Sequence, residues 1–198
     1  MGSAQASKGS RLLLFLLLWP TYAYFYQSGA QNEAARLDQA RALVEDGSLW
    51  VDRYAYNSAD LISYERDGER HHYSGKAPGT TLLVAAPMKL WSTVLGAFEL
   101  SEAVHWHLVV YLTTVFTVSL LSALASVAAF EAALLMGVGT PFALLGVVAI
   151  WLGSIAFPFS TLLFGHQIAA SLLAISFWLL VRVRWLPVDD LRSANLTL

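Results

Sequence analysis

The sequence predicts an all-α membrane protein, with about four transmembrane helices and juxtamembrane helices in a large first extracytoplasmic loop. Three observations predict it. The 198 residues are 57% hydrophobic and only 13% charged, against about 25% charged in an ordinary soluble domain. Long uncharged runs recur, of the length that crosses roughly 30 Å of hydrocarbon as a helix. Most of the charge is gathered in one block, Gln31 to Gly79, with apolar segments on both sides. Membrane lipids are therefore the expected surroundings. The formal net charge of −2 argues against nucleic acid as a partner. The chain has no cysteine, which excludes disulfides and thiolate metal sites.

Residues 1–10 are small and polar and predict a short cytoplasmic tail, with Lys8 and Arg11 at its end. Residues 11–30 predict the first transmembrane helix. Leu12 to Tyr26 carries no charge, and its aromatic second half suits a membrane–water interface. A cleaved signal peptide is the rival reading, with Ser28-Gly29-Ala30 as its small-residue site. The aromatic belt favours a retained anchor.

Residues 31–79 form the predicted extracytoplasmic loop. It opens with an amphipathic helix: Asn32 can cap it, Glu33 lies in its first turn, and Gly47 can end it. Leu37, Ala40 and Val44 make one apolar stripe, suited to the membrane surface or to other helices. Leu49 to Val51 and Leu61 to Tyr64 read as short extended pieces, and Asp67-Gly68 as a tight turn.

Residues 80–100 predict an interfacial helix, because Pro87 and Lys89 near its middle are costly at a bilayer centre. Residues 105–184 predict three transmembrane helices, near 105–130, 142–157 and 165–183. Gly137 to Pro141 and Phe157-Pro158 separate them. Residues 185–198 form a second cytoplasmic tail. Parity supports keeping 80–100 at the interface: Lys8 and Arg11 then share a side with Arg182 and Arg184, as cytoplasmic flanks should. The block's own six cations are offset by nine acids. On this arrangement the block and the Pro158–His166 turn both face outward.

These residues carry a resemblance to the GT-C class of membrane glycosyltransferases, such as protein O-mannosyltransferases and the aminoarabinose transferases of lipid A. It lies in three places. Asn32-Glu33, Arg36 and Arg41 to Gly47 resemble the acid-containing segment and helix after the first span. Tyr73-Ser74-Gly75-Lys76-Ala77-Pro78-Gly79 resembles a YSDKAPG-type signature. Phe157 to His166 resembles the second outward loop. The likeness covers nearly the whole chain but only the N-terminal part of a typical member, as for a fragment, a truncated product or a degenerate copy. It departs from the pattern at Gly75, where an acid is frequent, and at Ala34-Ala35, where polar residues are usual.

The resemblance implies transfer of a sugar from a polyprenyl-phosphate carrier to an acceptor outside the membrane. It makes Glu33 the candidate base and Lys76 the candidate phosphate ligand, beside Tyr73. Arg36 and His166 could add charge near the phosphate. Asp60 could hold the acceptor or a divalent cation, although no ligand motif calls for a cofactor. Each has a plainer role: Glu33 complementing a helix dipole or pairing with Arg36, Lys76 snorkelling, Arg36 and Asp60 solvated, His166 capping a helix. Adjacent His71 and His72 should point in different directions, and no spaced histidine accompanies them, so no metal site is predicted. His105 and His107 read as interfacial anchors. The Asn195-Leu-Thr triplet falls in the cytoplasmic tail and should stay unmodified. Two other readings stand beside the enzyme: a non-catalytic accessory membrane protein of the same fold, and a small transporter. The late helices offer a transporter little beyond Ser, Thr and Gly.

Overall fold

The computed structural model describes residues 8–185, which are mostly helical. The outer parts of both predicted tails, residues 1–7 and 186–198 with Asn195, lie outside the described residues. Helix α1 spans Lys8–Tyr24 and contains Pro20. It thus begins inside the expected tail, and Phe25 to Ala30 form a linker. Helix α2 follows at Gln31–Asp46. Its C-terminus is Gly47, at φ 65 in the left-handed region where only glycine is unstrained. Its N-cap is Ala30, not Asn32. Asn32 lies inside the first turn, where its side-chain oxygen and its carbonyl both accept from Arg36 Nη1. The competing guanidinium, four residues on, takes it out of the capping role.

The all-α expectation is corrected at the next element. Strands β1 (Leu61–Arg66) and β2 (Glu69–Ser74) form an antiparallel hairpin, with Leu61 paired to Ser74 and Arg66 to Glu69. Asp67 and Gly68 both take positive φ, as a two-residue hairpin turn requires. Trp50 bridges to Tyr73 beside it, so both predicted extended pieces enter one small sheet.

Helix α3 covers Pro78–Leu95, and α4 covers Glu102–Thr114 behind its Ser101 cap. A π-helical turn, Val115–Ser119, joins α4 without a break to α5, Leu120–Leu135. The Val115 carbonyl accepts both the Leu120 N–H, five residues on, and the Trp19 indole N–H at 3.0 Å. Then come α6 (Thr140–Gly153), the short α7 (Ala156–Ser160) and α8 (Gly165–Trp185). The segment expected as one helix near 142–157 breaks at Ser154, whose backbone is extended.

Two helices are long and apolar enough to cross a membrane, Glu102–Leu135 and Gly165–Arg184. Thr140–Gly153 is a shorter apolar helix. Leu14, Leu18 and Tyr22 of α1 pack against Ala123, Ala125 and Phe130 of α5 and Val147 of α6. Alanines let these backbones approach closely. Ser119 donates to the Ser160 carbonyl, and Gln167 to Ser122, fixing α7 and α8 to the long helix. The outward faces stay apolar: Leu13 of α1, Phe142 and Leu145 of α6, and Leu173 and Leu180 of α8 are each at least 67% exposed. Exposed apolar area on that scale marks a surface that meets something other than water.

A second cluster joins the polar block to this bundle. Ala40 of α2 packs with Val84 and Met88 of α3, Val109 of α4 and Leu163, with Leu37 and Val44 around it. The apolar stripe of α2 therefore faces other helices.

Candidate functional site

Glu33 is the third residue of α2, where a glutamate can reach back to free amides at the helix start. Its Oε2 accepts from Gly29 N–H at 3.1 Å. Its Oε1 accepts from Leu163 N–H at 3.2 Å, 130 residues away. The residue is 1% exposed. Burial pushes its carboxyl up from the usual range, while the amides of Leu163, Ala30 and Gly29 pull it back. Close by, Gln27 N–H donates to the Thr161 carbonyl at 3.1 Å. The start of α2 is thus sewn to the turn before α8.

One turn on, Arg36 lies over the first residue of α8. A Cβ on Gly165 would stand 3.5 Å from Arg36 Nη2 and 2.6 Å from Thr80 Oγ1. A side chain at this position would make Thr80 turn away or α8 draw back. Burial lowers the Arg36 pKa, and the Asp60 carboxylate works the other way. Asp60 in turn holds the Lys76 turn by two bonds. Its carbonyl accepts from Gly75 N–H at 3.0 Å, and its Oδ2 meets Lys76 Nζ at 2.5 Å. The Lys76 and Asp60 side chains keep 22% and 34% of their exposure. They form the accessible part of the cluster.

Glu33 and Arg36 therefore stand at the N-terminus of α8, and the Asp60–Lys76 pair is linked to them through the charge that Asp60 exerts on Arg36, a cluster of two acids and two cations. His166 is the second residue of α8 and is exposed. Tyr73 sits in β2, half-buried, paired across the sheet with Ile62 and bridged to Trp50. No hydrogen bond ties Tyr73 to the four-residue cluster among the described residues.

Several contributors escaped the sequence reading. Gly165 and Thr80 make the close approach just described. His71 and His72 converge on one group, contrary to expectation. Asp52 Oδ2 meets His71 Nδ1 at 2.6 Å, while Asp52 Oδ1 takes His72 N–H at 2.6 Å and faces His72 Nδ1 at 3.1 Å. The Val51 N–H bond to the His72 carbonyl draws the Asp52 turn against β2 and brings the carboxylate between them. Burial works against the Asp52 charge, but the His71 and His72 contacts outweigh it and hold its pKa below the usual range. Trp50 stacks on His71 at 4.4 Å. Among the described residues no group of three or more His, Cys, Asp or Glu is arranged to hold a metal ion. Arg41 lies between the rings of Trp106 (3.9 Å) and Tyr54 (4.7 Å) and pairs with Glu45 and Glu102. That stack ties the loop to α4. His105 reaches Ser92 at 3.4 Å, and the His107 ring lies 6.4 Å from Tyr26.

Asp38 is the other buried acid of α2. Its Oδ1 takes the Asn57 amide at 3.0 Å, and its Oδ2 has no hydrogen-bond partner among the described residues. Burial pushes its pKa up to about 6, against the Asn57 bond and the Arg41 charge. The folded form then binds a proton more tightly than the unfolded chain, whose carboxyl titrates near 3.8. This stabilisation is complete below that value and is lost as pH rises through about 6. Asp38→Asn should raise the thermal midpoint at pH 7 and flatten its change between pH 4 and 6, measured by differential scanning fluorimetry in detergent. An unchanged pH profile would show that Asp38 is solvated.

No protein-family model, no curated protein and no solved structure matches this chain.

Proposed function

We propose that this chain is a membrane glycosyltransferase, or the N-terminal part of one. It moves a sugar from a polyprenyl-phosphate donor to an acceptor on the outer face of the plasma membrane. The observation that carries the reading is the pairing of Lys76 with Asp60, whose carboxylate acts on the Arg36 guanidinium at the start of α8. Two cations, a helix N-terminus and an accessible turn make a place for a phosphate that leaves with negative charge. The resemblance of Tyr73 to Gly79 to a donor-binding signature supports the same assignment.

In the reaction the acceptor's oxygen or nitrogen attacks the anomeric carbon of the sugar. The bond from that carbon to the phosphate oxygen breaks, and its electron pair stays on the carrier phosphate, facing Lys76 and Arg36. The acceptor's proton passes to a carboxylate. Burial shifts Glu33 toward binding a proton, the direction a general base requires, and it must release the Leu163 amide to use it. Asp60 holds Lys76 in place and meets the acceptor.

The orientation follows from charge. Arg11 of α1 pairs with Glu131 of α5 at the end of the bundle where Arg182 and Arg184 close α8. Glu33, Arg36 and Gly165 meet at the opposite end. Basic residues gathered at one end favour a cytoplasmic N-terminus. Four crossings, by α1, α4 with α5, α6 with α7, and α8, then leave α2, the hairpin and α3 outside.

One observation favours a second reading, a non-catalytic membrane protein of the same fold. Both Glu33 oxygens serve backbone amides, as a purely structural carboxylate would. Reconstitution of the full-length protein in vesicles with a polyprenyl-phosphate sugar separates the two. Lys76→Gln should lower transfer by at least about tenfold, the loss of one charge-assisted phosphate contact, with its thermal midpoint kept. Transfer equal to wild type would remove Lys76 from the site, and absence of transfer by wild type across lipid-linked sugars would favour the second reading.

A further inference from the structure

A cavity of about 290 Å³ opens between α5 and α8, at the end of the bundle opposite the Lys76 cluster. It is small for a ligand site but within reach of the usual range. Leu124, Val127, Ala128 and Ile175 give it apolar walls, and Glu131 and Trp178 complete it. Around it stand three charges. Arg11 Nε lies 2.9 Å from Glu131 Oε1, so the carboxylate is already neutralised. The Arg182 guanidinium lies over the Trp178 ring, 4.9 Å from its centre. Among the described residues the rim therefore carries one positive charge with no acidic partner, on Arg182. Among the same residues the buried Trp178 indole N–H has no acceptor, and a buried donor left unpaired is costly. An apolar slot, an unmatched cation and an unsatisfied donor together call for an amphiphile with an anionic, oxygen-rich head.

We infer that this cavity binds an anionic phospholipid of the membrane leaflet next to Arg11 and Arg182. One acyl chain lies between α5 and α8 along Leu124, Val127 and Ile175. The phosphate sits at the rim, where Arg182 supplies charge and the Trp178 N–H can donate to a phosphate or ester oxygen. Charge selects the lipid here. A zwitterionic headgroup adds a cation that Arg182 repels, whereas an anionic headgroup leaves the rim neutral. Basic pockets between helices take anionic lipids for this reason.

The test uses fluorescence quenching of the full-length protein in nanodiscs by lipids brominated on the acyl chain. The chain has seven tryptophans, so the signal of Trp178 is taken as wild type minus Trp178→Phe. At equal mole fraction, brominated phosphatidylglycerol should quench that signal about fivefold more effectively than brominated phosphatidylcholine, the preference one surface cation supplies. The preference should vanish in Arg182→Gln and shrink in wild type at high ionic strength. The salt series needs no variant, so it stands even if Arg182→Gln fails to fold. Equal quenching by both lipids would reduce the cavity to ordinary lipid contact and overturn the inference. Absence of quenching by either would mean that protein covers the cavity, and would overturn it as well.

Discussion

Glu33→Gln should lower the thermal midpoint of the protein by about 5–10 °C, taking about 2–4 °C per kcal/mol for a chain of this size. The carboxylate joins Gly29 N–H to Leu163 N–H, one amide on each oxygen. A glutamine keeps one acceptor and turns an NH2 toward the other amide. A buried hydrogen bond to a charged group is then replaced by two donors facing each other, which costs about 2–4 kcal/mol. Glu33→Ala should cost as much, because both amides lose their acceptor. The same variants should accelerate proteolysis at the 25–30 linker, since Gln27 shares the seam through Thr161. The outcome that would reverse this account is specific. A Glu33→Gln protein that keeps its midpoint and loses sugar transfer would make the residue a base whose backbone contacts are incidental.

Gly165→Ala is the second large effect. The new Cβ would lie 2.6 Å from Thr80 Oγ1 and 3.5 Å from Arg36 Nη2. Thr80 must rotate or α8 must draw back, and overpacking of this kind costs about 1–3 kcal/mol. Retreat of α8 would also move its N-terminus away from Arg36. Transfer should therefore fall further than stability alone explains. Thr80→Ala removes the oxygen that the Cβ meets. The double variant Gly165→Ala with Thr80→Ala should regain most of the midpoint, giving a coupling of about 1 kcal/mol between the sites. Strict additivity of the two changes would show that the close approach is relieved elsewhere.

Local chemistry was legible in the sequence, and long-range pairing was not. Gly47 ends α2 and Asp67-Gly68 turns the hairpin, because positive φ is written in residue type. The stripe of Leu37, Ala40 and Val44 marked a packing face, and the packing partners are α3 and α4. The hairpin itself was half visible. Its strands are mostly exposed, so no alternation of apolar and polar residues announces them. Asn32 looked like a cap because its competitor, Arg36, acts from the next turn. Asp38 and Asp52 carried no signal, since nothing near them in sequence reveals Asn57 or the two histidines. For the candidate site, the identities of Lys76 and Asp60 were visible but their pairing was not. Gly165 carried no signal, because its need for a missing side chain arises from Thr80, 85 positions earlier.

The π-turn at Val115–Ser119 changes the phase of the long helix. One residue beyond the regular repeat rotates everything after it by about 100° relative to everything before. Without that offset, one stripe of the helix would have to serve every neighbour along its whole length. With it, α4 turns one side to α3, and α5 turns a different side to α1, α6 and α8. The Trp19 indole pins the slip at the Val115 carbonyl. The half of the helix that packs on α3 and the half that lines the basic-rimmed cavity are thus indexed separately, like two gears keyed at different angles on a single shaft.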